Sequence, residues 1–201
     1  MPVSSLDPRT ALVVVDLQAG TVRNPTAHPI ESVVANATAL LAAFRRHSLP
    51  VVIATVDGTA AGRAELGRGG SAWPAEMTAL IPEIVPQPHD LVVRRRAWSV
   101  FAGTGLDAQL AAAGITQVVV VGLATSFGVE STARDAYDAG YNVVVAVDAI
   151  SDMRAEAHEN SVTRIFPILG ETGSSAEIEA ILDARKPRLI ARDGMLPPAV
   201  R

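Results

Sequence analysis

Four apolar runs in this chain do not alternate with polar residues. They are ALVVVD at 11–16, VVIATV at 51–56, QVVVV at 117–121 and NVVVAV at 142–147. A strand with one wet face must alternate, because successive side chains point to opposite sides. Continuous β-branched runs therefore predict strands buried on both faces, as in a parallel sheet covered by helices. Segments of helical period separate the runs. Val33, Val34, Ala37, Leu40, Leu41 and Phe44 share one face of a helix expected over residues 31–47. A third strand is expected at 90–94 and a short last one at 170–172. Further helices are expected from Thr104 to a stop at Gly114, over 129–139 before Gly140, over 155–166 with Asp152 as cap, and over 176–184 with Ser175 as cap. The predicted class is α/β, a Rossmann-like three-layer α/β/α sandwich with a mostly parallel five- or six-stranded sheet. Right-handed crossovers then place every strand's carboxyl end on one edge, where ligands bind.

A chain of 201 residues suits a single domain. The expected division is a domain at 1–184 and a tail at 185–201, where Pro and Arg accumulate. The Gly- and Pro-rich segment 57–89 is long for a connection inside a compact domain, with room for a short helix at 75–81, so it is expected to be functional or to cover a site. The absence of cysteine excludes disulfides, thiolate metal sites and cysteine nucleophiles. A net charge of −4, with Arg94–Arg95–Arg96 as the one basic tract, argues against a nucleic-acid partner. MPVSSLDPRT has no charged region followed by an apolar one, so no signal peptide is expected. The apolar runs are too short to span a bilayer. A cytoplasmic protein acting on a small molecule is the expectation.

Three groups of polar residues fall where strands end. Asp16 ends the first strand, as a turn acid or as a general acid or base. In Arg94–Arg96, strand geometry sends Arg95 one way and its two neighbours the other. Each guanidinium is either surface charge or a fork for a carboxylate or phosphate. Trp98 and Phe101 stand just beyond, as pocket wall or core. The turn GLATSFG, 122–128, leads into a helix and offers backbone N–H groups for an anion or oxyanion. Thr125 and Ser126 in it are caps by default; Ser126 as a nucleophile lacks a base nearby in the sequence. His28, His47, His89 and His158 have no metal-ligand spacing, and His158 is expected to be exposed or capping.

ALVVVDLQAG, RAWSVFAGTGLDAQL, VVVVGLATSFGVESTARDAYDAGYNVVVAVDAISD and DMRAEAHENSVTRIFPILGET recur in this order in one superfamily. Over residues 11–182 the chain resembles the isochorismatase-like hydrolases, which include nicotinamidases and N-carbamoylsarcosine amidohydrolases. Their cysteine hydrolases use an Asp, a Lys and a Cys. The resemblance maps these positions to Asp16, Arg95 and Gly128. It implies a substrate site including Gln18, Trp98, Ala124, Ser126 and Phe127, a cis peptide at Leu123–Ala124, and a homodimer or larger homo-oligomer to which the tail contributes. The chain is similar to a subgroup that reads ATSxGVESTAR with glycine at the nucleophile position. The His/Asp metal set of nicotinamidases has no counterpart in TVDGTAAGRAELG, so no metal and no cofactor are expected.

Three functions are compatible with this pattern. In the first, a cysteine-independent hydrolase acts on an isochorismate-like enol ether, with Asp16 as acid or base, Arg95 on a substrate carboxylate and the Gly128 turn as an anion nest. In the second, loss of Lys and Cys leaves an inactive or repurposed ligand-binding member. In the third, Ser126 or water attacks an amide. A cation at Arg95 is expected to lower the Asp16 pKa.

Overall fold

The computed structural model describes residues 2–65 and 67–185. The anticipated tail therefore lies almost wholly outside the described residues. Six parallel strands form one sheet in the order β5-β2-β1-β6-β7-β8. They are β1 Thr10–Val15, β2 Val51–Val56, β5 Leu91–Arg95, β6 Gln117–Leu123, β7 Asn142–Ser151 and β8 Glu171–Gly173. The expected sheet is thus present at six strands, with β5 shifted by one residue and β7 extended. β1, β2 and β6 are buried along their whole length.

The pleat divides each run between two cores. Leu12, Val14, Ile53, Val119 and Val144 face one layer, α1 (Ile30–Arg46) and α7 (Ser175–Asp183), through Leu40, Phe44, Ile178 and Leu182. Ala11, Val13, Val15, Val52, Val120 and Val145 face the other, made by α3 (Leu106–Ala112), α4 (Glu130–Asp138) and α6 (Phe166–Leu169). Full burial of a Val, Leu or Phe side chain contributes about 1.5–3 kcal/mol, so both faces must be covered for these runs to stay out of water.

Several local expectations change. Segment 57–89 holds a two-stranded ribbon, β3 (Arg63–Ala64) with β4 (Gly67–Arg68), and a single-turn α2 (Ala75–Thr78) shorter than anticipated. α3 begins after Gly105, although the Thr104 hydroxyl still accepts the Leu106 N–H at 3.3 Å. The helix anticipated over 155–166 is α5 (Ala155–Asn160), then a π-helical turn at Ser161–Ile165, then α6. α7 is capped by Ser174, not Ser175: Ser174 and Glu177 form a reciprocal capping box. Ser175 instead donates its N–H and hydroxyl to Asp148 at 2.7 and 2.8 Å.

Chain order reverses at β1, because β2 and β5 lie on one side of it and β6, β7 and β8 on the other. Such a reversal leaves a crevice at the carboxyl ends of the two central strands. There Val15 pairs with Gly122, which sets Asp16 beside the turn after β6.

Candidate active site

Asp16 has φ 49°, a left-handed backbone that a non-glycine residue adopts at a cost of order 1–3 kcal/mol. The surrounding structure holds it there. Its N–H donates to the Ala54 carbonyl at 3.1 Å, and its own carbonyl accepts the Gln18 N–H at 2.9 Å and the Thr21 hydroxyl at 2.5 Å. The chain turns sharply off β1 and the carboxylate faces the crevice.

Arg95 ends β5 and reaches across the end of β2. Nη1 donates to Asp16 Oδ1 at 2.5 Å, and Nη2 donates to Asp16 Oδ2 and the Trp98 carbonyl, each at 2.9 Å. Both side chains are almost fully buried. Alternation along β5 is as anticipated, with Arg95 inward and Arg94 and Arg96 exposed. Its consequence differs from the expectation. Arg95 is committed to Asp16 and Trp98, and its guanidinium is not offered to a substrate carboxylate. The Asp16 pKa is also shifted the other way. Burial raises it above the ordinary carboxylate value, and the hydrogen bonds and charge of Arg95 only oppose that rise.

The turn after β6 supplies the facing wall. Leu123–Ala124 is cis, where anticipated. Thr125–Val129 is a π-helical turn continuing into α4. Gly122 has φ +112°, and a Cβ there would meet the Val15 carbonyl oxygen at 2.0 Å, so only glycine lets β1 and β6 approach this closely. Gly128 is constrained by space. A Cβ on it would lie 2.9 Å from Val15 Cγ1 and 3.3 Å from Asp16 Oδ2. The missing side chain therefore leaves the Asp16 carboxylate open to whatever occupies the crevice.

A cavity of about 210 Å³ opens over this point. Asp16, Ala124, Phe127, Gly128 and Trp98 line it. Trp98 stands half exposed at the mouth with its ring edge-on to Phe127, centroids 4.9 Å apart. Two anticipated site residues are elsewhere. Gln18 is fully buried; its amide donates to the Val56 and Thr78 carbonyls at 2.9 and 2.7 Å and accepts the Val56 N–H at 2.8 Å. It fastens segment 57–89 to the sheet. Ser126 donates its N–H and hydroxyl to Asp152 Oδ2 at 2.7 and 2.8 Å and does not line the cavity. Asp152, expected as a helix cap, also accepts the Arg154 N–H at 3.3 Å.

His158 corrects the expectation of an exposed or capping residue. It is buried, with Nδ1 2.9 Å from Thr125 Oγ1 and its ring 4.4 Å from that of His28. Desolvation and the neighbouring His28 lower its pKa. His28 Nδ1 in turn lies 3.0 Å from the Ser151 hydroxyl. No sequence spacing joins these residues; the ends of β6 and β7 do. Asp152, Trp73, Met153 and Arg96 also line the cavity; only the Arg tract among them carried a prior signal of ligand binding. Among the described residues, no group of three or more His, Asp or Glu side chains is placed to hold a metal ion. No helix among them is long and apolar enough to cross a membrane.

Known proteins share this fold. The Isochorismatase domain model matches residues 10–177. The isochorismatase family protein YwoC of Bacillus subtilis is 40% identical over 179 residues, covering 84% of this chain and 92% of its own. The structure of an isochorismatase family protein from Burkholderia thailandensis superposes with a TM-score of 0.85 at 38% identity, covering 90% of this chain and 98% of that one. N-carbamoylsarcosine amidase from Thermoplasma acidophilum superposes with a TM-score of 0.68 at 30% identity, covering 83% and 96%. This chain belongs to the isochorismatase family, a family of hydrolases.

Proposed function

We propose that the protein hydrolyses a small anionic enol ether of the isochorismate type without a cysteine nucleophile, in the manner of a glycine-bearing subgroup of the family. The observation that carries this reading is the 3.3 Å between Asp16 Oδ2 and the empty Cβ position of Gly128. A carboxyl group whose pKa burial raises faces the cavity with no side chain between. Asp16 would protonate the enol carbon, and water would add to the resulting oxocarbenium ion. The hemiketal would then collapse to a carbonyl compound and an alcohol, with the proton from water returning to Asp16. Backbone amides of Ala124 and Gly128 would hold an anionic group of the substrate. Arg95 would orient Asp16 and limit the rise of its pKa. An amide substrate attacked by Ser126 has no support, because Ser126 does not line the cavity.

Turnover of a set of enol-ether carboxylates, isochorismate included, tests the reading. Asp16→Asn should lower kcat at least about 100-fold; full turnover in the variant refutes the role of Asp16.

A second reading has one observation in its favour. Arg95 forks both Asp16 oxygens and cannot itself give up a proton, which would suit a ligand-binding member that has lost catalysis. Hydrolysis of any of these compounds by the native protein, lost in Asp16→Asn, eliminates it.

We further propose residues 1–184 as the catalytic domain, a cytoplasmic location, and a homodimer or larger assembly in which exposed Val92, Met153 and Ile168 become buried. A monomeric mass by light scattering would refute the assembly.

A further inference from the structure

The cavity's charges are already paired, with one exception. Arg95 donates to Asp16 and Trp98, and its remaining Nε is buried with no partner. Asp152 is satisfied by Ser126 and the Arg154 N–H. Among the described residues, Arg96 is the one cationic residue lining the cavity. Its Nε donates to Asp57 Oδ1 at 3.2 Å, and neither Nη has a hydrogen-bond partner among the described residues. The free edge of a guanidinium matches a carboxylate bidentately. Beside it stand Trp98 and Phe127, with Trp73 and Met153 completing an aromatic and apolar wall.

Resting on the reading of this cavity as the substrate site, we infer that Arg96, not Arg95, anchors the substrate through a carboxylate carried on a flat apolar body. Asp57 is a built-in competitor. It holds Arg96 through Nε, and its negative charge opposes a carboxylate arriving at the free Nη edge. Arg96 is thus a specificity residue that sets which anion enters and how it lies against the aromatic wall.

The chain has two tryptophans, Trp73 and Trp98, and both line the cavity. Intrinsic fluorescence therefore reads this site without any turnover. Benzoate and benzamide are the probes: a carboxylate and its neutral isostere. Saturable binding of benzoate is expected. Arg96→Gln should weaken benzoate about tenfold or more, roughly the worth of a charge-assisted fork, and leave benzamide unchanged. Asp57→Asn should tighten benzoate. Absence of saturable benzoate binding, or equal benzoate affinity in Arg96→Gln, would overturn the inference. Full turnover by Asp16→Asn, with benzoate binding still lost in Arg96→Gln, would remove the acid role and leave the anchor standing.

Discussion

Replacing Arg95 by methionine keeps most of the side chain's volume and removes its charge. The Arg95 side chain is 2% exposed and that of Asp16 9%, so water cannot take the guanidinium's place without opening the end of the sheet. Breaking a buried ion pair by deleting one partner costs about 3–5 kcal/mol, because the other charge is left uncompensated. The Trp98 carbonyl also loses its 2.9 Å donor, worth about another 1 kcal/mol. Against a typical domain stability of about 5–15 kcal/mol the sum is a large fraction. The cost should depend on pH. Burial already raises the Asp16 pKa above 3.8, and without Arg95 nothing of comparable size opposes that rise. The folded state then keeps a proton that the unfolded state has lost, so stability falls as pH rises from 3.8 through the folded value. Urea unfolding of the variant at about pH 7 and about pH 5 measures this, with recovery expected at the lower pH. The double variant Asp16→Asn/Arg95→Met should regain most of the loss, since no charge is left to bury. A cost below about 1 kcal/mol near neutrality, or one that does not change with pH, would refute the reasoning.

Three further outcomes are expected. Gly122→Ala should destabilise by more than about 2 kcal/mol, since its Cβ would sit 2.0 Å from a backbone oxygen at φ +112°; thermal unfolding measures it, and a near-neutral result would contradict the close approach of β1 and β6. Ser174→Ala should cost about 1 kcal/mol through loss of the α7 capping box, with no effect on ligand binding. His158 is held neutral by burial and by His28, so its contribution is complete above 6.5 and is lost as pH falls through the depressed folded value; His158→Gln should remove that acid-side component from the unfolding profile, and an unchanged profile would assign it elsewhere.

Much of the frame was legible along the chain. Non-alternating runs such as 117–121 admit one arrangement, a strand covered on both faces, and residues ending such strands must meet at one edge. Asp16 and the turn containing Gly128 as strand ends, and the opposite orientation of Arg95 to its two neighbours, followed from local periodicity; which of the three arginines turns inward did not. Gln18, Ser126 and His158 did not. Each is polar and sits beside a promising motif, and each is claimed by a partner remote in sequence: Val56, Asp152 and Thr125 respectively. The same holds for the Asp16 carboxyl. Its neighbour Arg95 predicted a lowered pKa; burial by the surrounding elements reversed the direction. Sequence periodicity by itself determined which faces are apolar and where the strands end, because those are local properties. Which polar groups are left free for a ligand was decided only by the tertiary structure, because desolvation and hydrogen-bond satisfaction are sums over neighbours brought together from the whole chain.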